Sequence, residues 1–136
     1  MKRFLSIMLV TIETILLVAC SSKESTYQPT ELENVSTSVL DVSTKGATLI
    51  IKDTNEIPYT YGEWYVIEKE KDGTWYEVKE KVEELCFDSI GYIPNEEKEI
   101  EFQMNWESIY GKLSSGHYRI LKTADSHIIS VEFDIK

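Results

Sequence analysis

Ile129, Val131, Phe133 and Ile135 alternate with Ser130, Glu132, Asp134 and Lys136 at the end of the chain. A period of two puts every second side chain on the same face of an extended backbone, so this segment reads as a half-buried antiparallel strand. Ile100, Phe102, Met104 and Trp106 alternate with Glu99, Glu101, Gln103 and Asn105 in the same way. From Val35 onward this period outnumbers the helical one. Further strands are predicted over 38–43, 47–52, 59–69, 74–81 and 117–123, with a short one near 87–92. Turn residues separate them: Lys45-Gly46, Pro94-Asn95, Ser114 to Gly116 and Asp125-Ser126. Asp72-Gly73 is the strongest, because both types accept the positive φ that a two-residue hairpin demands. About eight short strands at this spacing predict an all-β sandwich or barrel. Only the stretch after Trp106 breaks the pattern, where Trp106, Ile109 and Leu113 can share one side of a single helical turn crossing between sheets.

The first twenty residues obey a different rule. Met1, Lys2 and Arg3 make a cationic start, Phe4 to Ala19 is mostly apolar, and the run stops at Cys20-Ser21-Ser22. That is the layout of a secretion signal. A spanning helix needs roughly 20 apolar residues, more than this run supplies, and Glu13 interrupts it. Leu17-Val18-Ala19-Cys20 resembles the lipobox of bacterial lipoproteins, which implies cleavage before Cys20 and lipid on its thiol. The expected organisation is a lipoprotein signal peptide over 1–19, a lipidated N-terminus and polar tether over 20–34, and one domain over 35–136. As a flexible coil the tether would span roughly 20 to 25 Å. Two or more acyl chains suffice for stable anchoring, on the extracytoplasmic face of the membrane.

The formal net charge of −10 argues against nucleic acid, whose phosphates are bound by Lys and Arg, and anionic surfaces are expected to repel the chain. Cys20 and Cys86 are the only cysteines. With Cys20 lipidated, Cys86 has no partner, and stability must come from packing.

Gly116-His117-Tyr118-Arg119-Ile120 resembles the tyrosine corner of immunoglobulin-like domains, in which a tyrosine hydroxyl bonds back to upstream backbone. Two positions after that tyrosine, where antibody domains carry a cysteine, stands Ile120; Ile51 corresponds to its partner. The segments Tyr59-Thr60-Tyr61-Gly62, Tyr65 to Lys69, Asp72 to Trp75, Trp106, Tyr110 to Leu113 and Gly116 to Lys122 are similar to a bacterial Ig-like domain family found in small Gram-positive lipoproteins. The resemblance spans Val39 to Lys136. It implies an immunoglobulin-like β-sandwich of about 7–9 antiparallel strands, with Tyr118, Ile51 and Ile120 as corner and core, and it brings no catalytic residues.

The residues themselves offer little chemistry. His117 and His127 fall at opposite ends of one predicted hairpin and cannot share a metal, so no metal site and no cofactor is expected. Cys86 lies among Glu83, Glu84 and Asp88, surroundings that disfavour a thiolate, and reads as a half-buried strand residue. Ser114 and Ser115 lack the Gly-x-Ser-x-Gly elbow of a nucleophile. The acidic runs lack calcium-loop spacing and read as solvated strand faces. Trp64 and Trp75 are the more informative pair. A two-residue turn at Asp72-Gly73 sets Tyr65, Ile67, Tyr76 and Val78 on one face and Trp64, Val66 and Trp75 on the other. Trp64 and Trp75 then form an outward patch for a protein or cell-envelope partner, whereas a bulge would turn Trp75 inward. The expected function is a non-catalytic binding or structural domain held at the envelope; the alternative is a sensory or accessory module that modulates a neighbouring membrane protein.

Overall fold

The computed structural model describes residues 22–136. The expected signal over 1–19 and the lipidation site Cys20 lie outside the described residues. Eight strands and one short helix follow in order: β1 Val35–Leu40, β2 Gly46–Asp53, β3 Tyr61–Lys71, β4 Thr74–Glu77, β5 Gly91–Tyr92, β6 Glu99–Asn105, α1 Glu107–Tyr110, β7 Gly116–Ala124 and β8 His127–Ile135. They form two antiparallel sheets. One runs β1-β2-β6 and the other β4-β3-β7-β8, with β5 paired to the start of β3.

The alternation decides which residues meet between the sheets. Leu49 and Ile51 from β2, with Ile100 and Met104 from β6, share one core with Tyr65 and Ile67 from β3, Tyr118 and Ile120 from β7, and Ile129 and Phe133 from β8. Ile51 and Ile120 are both fully enclosed. Burying an aliphatic or aromatic side chain of this size stabilises by about 1.5–3 kcal/mol. The break in pattern after Trp106 is the helical turn α1, which carries Trp106, Tyr110 and Leu113 into the same core. The Phe133 ring stacks with both Trp106 and Tyr118, and the Trp106 indole donates to the Thr44 carbonyl at 2.9 Å.

Two of the hairpins, β3–β4 and β7–β8, follow from their turn residues. Asp72 and Gly73 have φ of 51° and 79°, and Lys71 pairs with Thr74, so the turn has two residues and no bulge shifts it. Asp125 has φ of 49° between the paired Ala124 and His127.

Three expectations change. The strand expected over 74–81 ends at Glu77, and the one near 87–92 shrinks to Gly91–Tyr92. Between them Lys79 to Glu84 carries five charges in six residues, which leaves no face to bury. Cys86 therefore sits exposed in irregular chain and not half-buried in a strand.

The third change concerns the polar tether over 20–34, which is not a free coil where it is described. The Glu77 amide donates to the Lys23 carbonyl at 2.8 Å and the Ser25 amide to the Trp75 carbonyl at 2.9 Å, which extends the sheet past β4. Farther on, the Thr30 amide donates to the Ile128 carbonyl at 2.8 Å. The segment thus enters at the β4 edge and leaves at the β8 edge, a strap across the outer face of the larger sheet. Ser25, Tyr27 and Pro29 turn inward while Glu24, Thr26 and Gln28 face solvent. Backbone donors and one aromatic anchor hold it, so a polar composition does not release it.

Candidate functional site

Under the strap lies a buried ion pair. β3 and β7 place Glu68 opposite Arg119 on the outer face of the larger sheet. Arg119 Nε and Nη2 both donate to Glu68 Oε1, Nη2 also reaches Ser25 Oγ at 3.3 Å, and the guanidinium lies 4.5 Å from the Trp75 ring centre. Trp64 and Trp75 occupy this same outer face. Both are half-buried: Tyr27 meets Trp64 edge-on at 5.6 Å, and Arg119 and His117 lie against Trp75. The patch expected to be open to a partner is partly covered by the chain's own strap and ion pair.

His117 ends the same row. Its two ring nitrogens contact Glu132 at 2.9 Å and Asp134 at 2.7 Å, and these hydrogen bonds hold the imidazolium above its ordinary pKa. Glu70, His117 and Glu132 bring ligand atoms within 4.8 Å of one another. A divalent ion there would have to displace the proton that those carboxylates favour, so the cluster works as a charge-assisted hydrogen-bond set. His127 is at the other end of the hairpin, beside Tyr59.

A cleft of about 750 Å3 opens on the side of the molecule where the strap begins. Tyr110, Leu113 and Tyr118 line it together with Lys23, Lys69, Lys71, Lys79, Lys81 and Lys112. β3 sets Lys69 and Lys71 two apart, and therefore on one face. Lys81 is fixed by its backbone N–H, which donates a hydrogen bond to the Ile109 carbonyl, and Lys112 follows Gly111, whose φ of 72° ends α1. Lys69 Nζ donates to Ser114 Oγ at 3.0 Å, and the Tyr118 hydroxyl donates to the Ser114 carbonyl at 2.7 Å. A serine beside an amine is two parts of a hydrolase, but an oxyanion also needs converging N–H donors. The nearby Leu113 amide is committed to the Thr44 carbonyl, and Ser114 serves to close the turn.

Two further polar groups are buried between the sheets. Lys122 lies 3.9 Å from the Phe102 ring centre and donates to the carbonyls of Gly62 and Glu63, where β3 bulges. Burial lowers its pKa to about 8. Asp53 accepts from the Tyr61 hydroxyl, the Tyr59 amide and Asn55. Burial pushes its carboxyl up, and those donors outweigh burial and bring it below the usual range.

The order β1-β2-β6 against β4-β3-β7-β8, with a tyrosine bonded backward at the start of β7, is that of strands A-B-E against C′-C-F-G. The chain matches the family described as bacterial Ig-like domain over residues 28–134. It belongs to that family. No curated protein and no solved structure matches the chain. Tyr118 is 2 % exposed and bonds back to the Ser114 carbonyl, and Ile51 on β2 and Ile120 on β7 are both enclosed in the core between the sheets. The match begins inside the strap, ahead of the expected domain start at residue 35.

Sequence reasoning missed the Glu68–Arg119 pair, the buried Lys122 and the convergence of six lysines. Glu68 and Arg119 carried a usable signal, since both fall on strands at positions that alternation assigns to one face. The lysines carried none, because four separate segments bring them together.

Proposed function

We propose that this protein is a lipoprotein anchored through Cys20 on the extracytoplasmic face of a membrane, where its Ig-like domain acts as a non-catalytic binding or structural module. The observation that supports this most is the position of Leu17-Val18-Ala19-Cys20 between an apolar run and Lys23, the first residue of the strap to bond to the sheet. An anchor at Cys20 would hold an already complete Ig-like domain. Membership in a family of Ig-like modules supports a role in binding or support over catalysis.

The reading is tested in a producing cell with a fatty-acid probe. The wild-type chain is expected to label and to sediment with membranes, and Cys20→Ala to lose the label whether it is retained uncut or released. Label that persists in Cys20→Ala would transfer the acceptor role to Cys86 and overturn the reading.

A further inference from the structure

The lysine-lined cleft stands apart from the rest of an acidic molecule. Six of the twelve Lys and Arg within 22–136 line it, and two of the others, Arg119 and Lys122, are buried elsewhere. Glu77 and Glu80 are the acids on its wall, with Glu77 3.8 Å from Lys23, so the lining carries an excess of four positive charges on a chain of net charge −10. Like charges gathered in one concavity repel one another, and an anion relieves that repulsion. Tyr110 gives the cleft an apolar wall through its ring, while its hydroxyl is turned out of solvent's reach toward the Ile67 amide.

We propose that this cleft seats the phosphate of an anionic phospholipid, so that the domain lies against the leaflet that holds its own anchor. The proposal rests on the reading of Cys20 as lipidated. Its geometry comes from Ser22 and Lys23, which line the cleft. Three residue steps separate Cys20 from Lys23, and a fully extended chain covers at most about 10 Å in that distance. Lys23 at the cleft's lip is then tethered little more than one screening length, about 8 Å at physiological salt, from the anchored cysteine, and each lysine that comes to the surface adds about fivefold to surface affinity. A soluble phosphate would gain nothing from that adjacency. The overall negative charge, which predicts repulsion from anionic surfaces, is overridden locally because screening confines the interaction to the nearest few charges.

The test uses the full chain purified from producing cells, first scored for fatty-acid label and then reconstituted into vesicles. One set is phosphatidylcholine; the other is three parts phosphatidylcholine to one part phosphatidylglycerol. An amine-reactive biotin reports each lysine by peptide mass spectrometry. Lys71, Lys79, Lys81 and Lys112 are expected to react at least about fivefold more slowly with phosphatidylglycerol present. Lys52, Lys98 and Lys136 should be unchanged, and the difference should vanish at about 1 M salt. Combining Lys71→Gln, Lys79→Gln and Lys112→Gln should keep the fatty-acid label and lose the protection of Lys81. Equal reactivity in the two vesicle sets, on protein that carries the label, overturns the cleft proposal and leaves the anchor standing. Missing label overturns the anchor first. Equal protection by inorganic phosphate over phosphatidylcholine alone would reassign the cleft to soluble anions and overturn its membrane role.

Discussion

Arg119 places two of its nitrogens on one oxygen of Glu68, at 2.8 Å from Nε and 2.6 Å from Nη2, while the second carboxylate oxygen, Oε2, has no partner. Glu68 is completely enclosed, so the pair is an interdependent unit. Arg119→Met would strand a buried carboxylate and is expected to cost about 3–5 kcal/mol in urea unfolding. Adding Glu68→Met to that variant should restore most of the loss, because two apolar side chains replace two charges. A double variant as unstable as the single one would show that Arg119 acts through Ser25 and Trp75 instead.

The tyrosine corner makes a smaller prediction. Tyr118→Phe keeps the stacking on Phe133 and removes the bond to the Ser114 carbonyl, for an expected loss of about 1 kcal/mol. Ile51→Ala and Ile120→Ala, both at fully enclosed positions, should each cost about 2–5 kcal/mol. Chemical denaturation of the three variants beside wild type checks both figures.

Alternation made the strands legible, and Asp72-Gly73 made one register legible, because both are local properties of the backbone. The same register argument correctly set Trp64 and Trp75 on the outer face. It did not reveal that Tyr27 lies on Trp64, since that contact joins residues far apart in the chain. Polar composition was a poor guide to the strap, for Ser25 and Lys23 are held by their backbone groups, which every sequence possesses. Lys122 did leave a mark: two positions after Ile120, it falls on the inward face that alternation gives Tyr118 and Ile120, and Gly62 inside β3 signals the bulge whose carbonyls take its amine.

Lys122 gives the fold a pH dependence of definite sign. Its folded pKa, about 8, lies below the ordinary 10.5, so the folded state loses the proton first as pH rises. Stability should therefore climb from about pH 8 toward pH 10, the window in which the unfolded chain still holds that proton. Above that range the trend reverses, because burial raises Tyr65 to about 12 and unfolded tyrosines ionise earlier. Lys122→Met should abolish the climb, as read from urea midpoints across the series. A slope that survives in Lys122→Met would assign the effect to another group.

Tyr27→Ala tests the strap. Removing one ring of the Tyr27–Trp64 pair should cost about 0.5–1.5 kcal/mol and expose the Trp64 indole to water. Red-shifted tryptophan emission and faster hydrogen exchange at the Ser25 and Glu77 amides are the expected signs. Unchanged exchange would mean that the backbone bonds hold the segment without the ring.

The strap bonds at both margins of the larger sheet, to Trp75 and Glu77 of β4 and to Ile128 of β8. An open strand margin is a template on which a second chain can add its own strand, and repeated addition builds fibres. Along β4 the chain has already supplied that extra partner from itself, and at β8 the Thr30 bond occupies Ile128. Copies of such a domain packed side by side would find the β4 margin taken, so a shared sheet could not start there.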